Sequence, residues 1–487
     1  MPDATPEYYL HETAWINSPE DWGKVRDLCD GFLDVERCTA FHDYFNGDVK
    51  TVVVEREYVD KDYRSAFSNF HSKKFARYSD RTSRLHFFSA RLPKEDIFSL
   101  DKHQGDYIGF SVIRPTLINP IGRTVLDPRK ITKVKGNMPL ATYQAHVLGA
   151  ELEVSGFPYM SQDSDLTVCA HAACWMVFRY MSERYTQYAE ALPFDIARMT
   201  EDLSGGRLTP SNGLYISQVA EIFFRFGLFP VVYNRADNAS EFEKLLYYYI
   251  ESGLPVVASL SEKGHAITVF GHVSDYNRNP KYGDSFDFLD SFVVNDDNHL
   301  PYQRPSRETS GDVAMEHRSR HCIADVDGFV VGLYEKIYLA AEDAVEHVSK
   351  LLKDERFGLG LKLMDGLVKR LYLTSSKSYK KHLFKRSLPA HLSSTYAEMG
   401  MPKFIWVCEL STAGLYRQRR IFGEIVLDAT ATKWDEFSFL AIHYPDRVIF
   451  NDRNCAVDVP EKFYGRRFAF TDLPSYPMYI NNLTEVK

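Results

Sequence analysis

The sequence lacks any long hydrophobic run, and this absence already excludes one class of protein. No apolar stretch approaches the roughly 18 residues that are needed to cross a bilayer. The longest ones, 254–260 and 404–410, have the length of buried strands. Residues 1–23 are acidic and show no basic start followed by an apolar core, so we expect no secretory signal. Internal repeats and low-complexity tracts are also missing, which argues against solenoids and propellers.

Cysteine is scarce, with seven residues among 487. Because they are odd in number and scattered, they do not form the framework of a small disulfide-linked protein, and a reduced, cytoplasmic protein is expected. The chain also has no excess of positive charge: its formal net charge is -8, which argues against a protein built to bind nucleic acid. Hydrophobic residues make up 45% and charged residues 25%, as in an ordinary soluble globular protein.

The length predicts two to four domains of roughly 150 residues each. We predict an N-terminal α+β domain of unknown role over residues 1–150 and a middle domain over residues 151–335. A C-terminal α/β region over residues 336–487 is either a third unit or an extension of the middle domain. The clearest strand of the first region covers 107–113 and is stopped by Arg114-Pro115, because proline removes a donor from the strand ladder.

The middle region reads as helices first and strands afterwards. A helix that is apolar around most of its circumference is predicted over 169–185, followed by amphipathic helices that end at Gly227 and at Ser252-Gly253. Strands follow over 255–260, 266–270 and 292–295. This segregation predicts an α+β domain with an antiparallel sheet. Residues 301–323 are charged and poor in apolar residues, which indicates a loop.

Four residues of the middle region occur in an order that suits thiol chemistry. Gln162 precedes Cys169, which begins the buried helix, while His265 opens a strand and Asp296 follows another. The first turn of a helix and a neighbouring imidazolium both favour a thiolate over a thiol. We therefore predict Cys169 as the nucleophile.

The other three residues have complementary roles in this interpretation. His265 would pair with the thiolate and protonate the leaving amine. Asp296 would hold the imidazole in the required tautomer. Gln162, together with the backbone N–H of Cys169, would donate hydrogen bonds to the developing oxyanion.

These residues resemble the bacteriocin-processing (double-glycine) family of papain-like cysteine peptidases and its soluble relatives. The segment 157–180 is similar to that family's "VPyisQ…CGpaaLaMvlrY" pattern, and 253–257 with 264–266 is similar to its "GrPviv…GHavvv" stretch. Residues 294–296 look like the strand that carries its third catalytic residue. The resemblance covers roughly residues 156–300, and the combination of motifs in one order is more specific than any of them alone.

The resemblance implies a papain-like cysteine peptidase core flanked by α/β-type N- and C-terminal regions. It implies hydrolysis of a peptide or isopeptide bond of a protein or peptide through a Cys169-His265-Asp296 triad and an acyl-enzyme, without cofactor or metal, in a bacterial cytoplasm. The flanking regions would present substrate or bind a regulatory partner. Two departures are the residues after the cysteine, where Ala170 and His171 replace the family's usual Gly and Pro. The family's founding members are fused to membrane-spanning exporters, so leader processing during export is not implied here.

Several alternatives stay open at this level. The same triad would serve a transpeptidase, and an inactive papain-like scaffold or peptide sensor would keep only the cleft. Asp297 competes with Asp296 for the acid, and His272 competes with His265, although a regular strand would point the two histidines to opposite faces. Cys174 lies deeper in the helix and is interpreted as core packing.

Two further features are assigned no site. Basic clusters at 377–386 and 417–420 are interpreted as solvated faces rather than a nucleic-acid surface. His321-Cys322 has no partners at zinc-ligand spacing, so the sequence gives little support for a metal site.

Overall fold

The computed structural model describes residues 11–116, 118–163, 166–203, 209–211, 213–281, 283–305, 321–360, 366–386, 388–435, 438–451 and 465–487. Most of the loop predicted over 301–323, namely 306–320, lies outside these residues, as does Cys455. None of the described helices is long and apolar enough to cross a membrane.

The first part of the chain forms an antiparallel sheet whose strands follow one another in chain order. Its strands are β1 (His11–Trp15), β2 (Thr51–Tyr58), β3 (Thr82–Phe88), β4 (Tyr107–Ile113) and β5 (Ile121–Leu126). The helices of this part are α1 (Trp22–Leu28), α2 (Val35–Phe45) and α3 (Lys61–Asn69). The strand predicted over 107–113 is therefore observed as β4.

The short strand β6 (Gly136–Met138) leads into a hairpin of β7 (Ala141–Val147) and β8 (Ala150–Gly156). Buried and exposed residues alternate along both hairpin strands, as the period of two in a strand requires. The two turn residues, Leu148 and Gly149, both have positive φ, which matches the tight turn that suits the twist of a hairpin.

The middle of the chain begins with helices, as the sequence predicts, but the strand β9 (Phe229–Asn234), which was not predicted, comes before its last helix. Its helices are α4 (Cys169–Arg184), α5 (Pro193–Arg198), α6 (Ile216–Phe226) and α7 (Phe242–Glu251). Its strands are β9 (Phe229–Asn234), β10 (Val256–Leu260), β11 (His265–Ser274), β12 (Leu289–Asn295) and β13 (Gly328–Leu333). Helix α6 ends at Gly227, whose φ of 101° is left-handed and therefore favours glycine.

The last part of the chain adds a second large sheet with helices. Its helices are α8 (Ala341–Lys353), α9 (Ser376–Leu383), α10 (Ala390–Glu398) and α11 (Ala413–Arg417). Its strands are β14 (Leu367–Ser375), β15 (Phe404–Thr412), β16 (Arg420–Ile421), β17 (Gly423–Asp428), β18 (Phe439–His443), β19 (Arg447–Asn451), β20 (Gly465–Ala469), β21 (Tyr476–Pro477) and β22 (Thr484–Val486).

Mixed α+β structure is confirmed, but the description of the flanks as α/β-type is wrong. The C-terminal sheet, ordered β14-β15-β17-β18-β19-β20, is antiparallel throughout its ladder. An α/β-type region implies parallel strands joined by helices. In the structure α9 and α10 bring the chain back to the end of the sheet at which β14 finished, so β15 runs in the opposite direction.

The middle sheet takes strands from all three predicted regions. Its order is β22-β6-β11-β10-β13-β9, with β12 also paired to β11. Strand β6 comes from the predicted N-terminal domain, and β22 comes from the end of the chain. The boundaries at 150 and 335 remain predictions, and the stretches on either side of them share this sheet.

Helix α4 is fixed by buried polar contacts as well as by its apolar surface. The Trp175 indole N–H and the Arg179 guanidinium both donate to Asp62 Oδ1 of α3, over 3.0 and 2.7 Å. All three side chains are buried. On the opposite side, the Thr268 hydroxyl of β11 donates to the carbonyl of Ala173 over 3.2 Å. The helix that begins at Cys169 is thereby held against the strand that begins at His265.

We expect the substitution Asp62→Ala to lower the free energy of unfolding by about 1–3 kcal/mol, because it leaves the buried donors of Trp175 and Arg179 without this acceptor. Arg179 keeps its ion pair with Glu190 in this variant. Urea unfolding followed by tryptophan fluorescence measures the effect. The control is Asp27→Ala, which removes an exposed ion pair with Arg26 and should change stability by less than about 1 kcal/mol. Equal shifts for the two variants would contradict the anchoring role of Asp62.

The basic cluster at 377–386 is not simply a solvated face. Arg386 is buried, and its guanidinium donates to both carboxylate oxygens of Glu424 in β17 over 2.6 and 2.9 Å. Lys380 donates to two main-chain carbonyl groups. The sequence does not reveal this pairing because Glu424 lies in a separate strand, 38 residues further along the chain.

Candidate active site

Cys169 is the first residue of α4, as the sequence predicts. The preceding residue, Val168, is extended and has no side chain that could cap the helix. The thiol is half-buried, whereas Cys174, one turn further on, is fully buried. Burial raises the pKa of the Cys174 thiol far above its ordinary value. Of these two cysteines, Cys169 is the one at the accessible, positive end of the helix dipole.

His265 and Asp296 meet because of the way their strands pair. Strands β11 and β12 are antiparallel neighbours, with Thr268 opposite Asn295. The end of β12 therefore lies beside the start of β11. His265 Nε2 and Asp296 Oδ1 are 3.0 Å apart, which is hydrogen-bond distance. Gly264, with a φ of 58°, lets the chain turn sharply into β11 at this point.

The thiol of Cys169 is close enough to affect the protonation of His265. Burial would by itself lower the pKa of His265, but hydrogen bonds with Asp296 and the Cys169 thiol, together with nearby carboxylate charge, raise it to about 10. His265 is therefore an imidazolium at neutral pH. Since Nε2 is engaged by Asp296, Nδ1 is the ring nitrogen left for the thiol.

Asp296 and Asp297 differ in their relation to His265. The same Nε2 lies 3.0 Å from Asp296 Oδ1 and 3.7 Å from Asp297 Oδ1, so only the first distance is a hydrogen bond. Burial opposes ionisation of Asp296, but the hydrogen bond and charge of His265 hold its pKa below the usual range. Burial raises the pKa of Asp297 to about 7, and the charge of Asp296 acts in the same direction. Asp296 is thus the ionised neighbour of the histidine.

Gln162 is linked to this group through Asn298. The Gln162 side-chain amide donates to Asn298 Oδ1 over 3.2 Å, and the Asn298 backbone N–H donates to Asp296 Oδ1 over 3.1 Å. Arg114 stabilises the loop that contains Gln162, because its guanidinium donates hydrogen bonds to the carbonyl groups of Ser161 and Gln162. Asn298 was not predicted from the sequence, although its position two residues after Asp296 offered a signal.

The rival histidines have other environments. His272 Nε2 is 2.6 Å from Glu251 Oε2, inside a buried group of charges that also contains Arg370. His171 is buried, and this burial lowers its pKa to about 4. Neither histidine contacts Asp296 within the described part of the chain.

His321 belongs to the site and has no signal in the sequence. Its Nε2 lies 3.6 Å from Asp296 Oδ2, and its ring centroid lies 5.2 Å from that of His265. Lys263 approaches its Nδ1 at 3.3 Å and is itself paired with Asp325 at 2.6 Å. The separation of Asp296 and His321 along the chain does not match the spacing of a common metal-ligand motif. Their proximity is therefore visible only in the folded structure.

No protein-family model, curated protein or solved structure matches this chain.

Proposed function

We propose that this protein is a papain-like cysteine peptidase that cleaves peptide or isopeptide bonds of a protein or peptide. The observation that carries the proposal is the 3.0 Å hydrogen bond between His265 and the Asp296 carboxylate, next to the Cys169 thiol at the start of α4, which helps to raise the pKa of the same imidazole. Acyl transfer to a thiol needs at least three groups: the thiol, a base that exchanges a proton with it, and an acid that orients the base by a hydrogen bond.

The reaction follows from the protonation states of the three groups. The imidazolium of His265 favours the thiolate of Cys169, which attacks the carbonyl carbon of the scissile bond. As the tetrahedral intermediate collapses, His265 gives its Nδ1 proton to the leaving amine and an acyl-enzyme remains. The neutral imidazole then takes a proton from water, whose oxygen attacks the thioester carbonyl. The collapse releases the carboxylic acid and restores the ion pair.

The helix and the sheet have the arrangement that such a site uses. The nucleophile begins a buried helix, the base begins a strand packed against that helix, and the acid follows the neighbouring strand. The four residues also occur along the chain in the same order as the corresponding residues of the peptidase family described above, namely Gln162, Cys169, His265 and Asp296. These features support a papain-like core for the middle of the chain.

Gln162 would stabilise the oxyanion in this mechanism. We expect Gln162→Ala to lower kcat for peptide hydrolysis by about 10²- to 10³-fold with a smaller effect on KM, because the donor acts mainly in the transition state. Steady-state hydrolysis of a peptide cleaved by the wild type measures the effect. Gln104→Ala, a change at a half-buried glutamine that pairs with the main chain of Glu153, is the matched control. A kcat unaffected by Gln162→Ala would remove this residue from the oxyanion site.

A peptide library tests the function even though the substrate is not identified. Wild-type protein should create new amino termini in a library of proteome-derived peptides, and the mass spectra of these products should define the cleaved sequences. Cys169→Ala should create none of them. New termini that appear equally with both proteins would show that the activity does not come from Cys169.

A further inference from the structure

Three side chains at the candidate active site form a cluster with the composition of a metal site. His265, Asp296 and His321 each offer one ligand atom, and these atoms lie within 4.8 Å of one another. The two histidines flank the carboxylate: His265 Nε2 lies 3.0 Å from Oδ1, and His321 Nε2 lies 3.6 Å from Oδ2.

One oxygen of the cluster is buried without a hydrogen bond. Asp296 is 0% exposed, and its Oδ2 has no hydrogen-bond partner among the described residues. His321 Nε2 lies 3.6 Å from this oxygen, which is beyond hydrogen-bond distance. A buried carboxylate oxygen is costly when it is left unsatisfied, and a cation placed between it and the two imidazoles would satisfy it.

The donor set suits Zn²⁺. Two imidazole nitrogens and one carboxylate oxygen are common zinc ligands, and an open fourth position can take water. Ligands at ~2.1 Å around a tetrahedral zinc lie about 3.4 Å from one another, so the present spacings, which are at most 4.8 Å, would have to shorten by up to about 1.4 Å on binding.

We propose that His265, Asp296 and His321 form a reversible Zn²⁺ site that switches off the thiol chemistry of Cys169. The regulatory part of this inference rests on the proposed function, whereas the metal site itself does not. Zinc would displace the Nε2 proton of His265 into solvent and take both Nε2 and the Asp296 carboxylate as ligands. A ring that is bound to zinc at Nε2 carries its remaining proton on Nδ1 and can lose it only as imidazolate. It can therefore neither accept a proton from water nor release one to a leaving amine at neutral pH.

Direct binding tests the site independently of any activity. Zn²⁺ titrated into the full-length protein against a chromophoric chelator should bind at one equivalent per chain. His321→Ala should weaken this binding by about 100-fold, since even partners outside the coordination sphere cost 10- to 100-fold. His391→Ala, a change at an exposed histidine of α10, should bind as the wild type does. Cys169→Ala should keep the affinity, because the thiol is not among the three proposed ligands. Unchanged binding in His321→Ala, or lost binding in Cys169→Ala, would overturn the proposed site.

Thermal unfolding gives a second readout that does not depend on the chelator. Added Zn²⁺ should raise the Tm of the wild type and of His391→Ala, because a ligand of the native state stabilises it. The Tm of His321→Ala, and of the more conservative His321→Gln, should not respond. An equal rise in all four proteins would place the zinc elsewhere.

Inhibition separates failure of the site from failure of the proposed function. Peptide hydrolysis by the wild type should be at least tenfold slower in zinc than in chelator, and the ratio should approach one in His321→Ala. If zinc binds through His321 but leaves hydrolysis unchanged, the regulatory inference is wrong. If the chelator-treated wild type hydrolyses nothing, the peptidase proposal fails, and the binding titration still decides the zinc site.

Discussion

Replacement of Cys169 by alanine is expected to lower the rate of peptide hydrolysis by about 10⁴-fold or more, because loss of a covalent nucleophile removes the acyl-enzyme route altogether. The substitution removes a half-buried sulfur at the start of α4 and leaves the buried face of the helix intact. Folding should therefore be preserved. Hydrolysis of a peptide taken from the library products, measured at equal protein concentrations, gives the ratio of rates.

Cys322→Ala is the matched control for this variant. Cys322 is a free cysteine that directly follows His321 in the chain, and its side chain is buried. Burial raises the pKa of its thiol, so it should contribute little as a nucleophile. A wild-type rate in Cys322→Ala together with the large loss in Cys169→Ala would assign the chemistry to Cys169. Retention of more than a tenth of the activity in Cys169→Ala would refute the proposed function.

Replacement of His265 by alanine is expected to lower hydrolysis by about 10³-fold, within the range that general acid–base catalysis contributes. It should also change the pH dependence of thiol alkylation. In the wild type the pKa of His265 is about 10, so the imidazolium that supports the thiolate is present throughout the neutral range. In His265→Ala the alkylation rate should rise about tenfold per pH unit up to the ordinary thiol range near ~8.5.

The raised pKa of His265 also determines how the rate of peptide hydrolysis should change at alkaline pH. The protonated ring is retained below pH 10 and is lost as the pH rises through about 10. Wild-type hydrolysis should fall across that interval because the leaving amine loses its acid, whereas alkylation, which needs no acid, should not fall. His391→Ala should follow the wild type in both assays. Parallel alkylation profiles for the wild type and His265→Ala would show that the histidine does not act on the thiol.

Local structure followed from the sequence wherever the pattern was periodic and well bounded. The predicted strand at 107–113 and the helix ends at Gly227 and Ser252 agree with β4, α6 and α7. The strands at 51–58 and 82–88 were not predicted, although the first begins with an apolar run. The hairpin of β7 and β8 was also missed, despite its alternating pattern and its Leu148-Gly149 turn.

The topology could not be derived in the same way. The C-terminal region was predicted to be α/β-type, and only the returning path of the chain through α9 and α10 makes β14 and β15 an antiparallel pair. The pairing of β6 with β22 joins residues from opposite ends of the chain. Such pairings depend on contacts between distant segments, which leave no local periodicity to detect.

The sequence by itself determined which residue types stand where the chemistry needs them: a cysteine at a helix start, a histidine opening a strand and an acid ending one. It could do so because helix and strand patterns are local and the order of the motifs is specific. The tertiary structure alone shows that Asp296 rather than Asp297 lies within hydrogen-bond distance of His265, since a shift of one residue in register exchanges the faces of a strand. It also placed His321 beside Asp296 and Asp62 beneath α4. These contacts join segments far apart in the chain, and the physical reason they form is the packing of α4, β11 and β12 into one core.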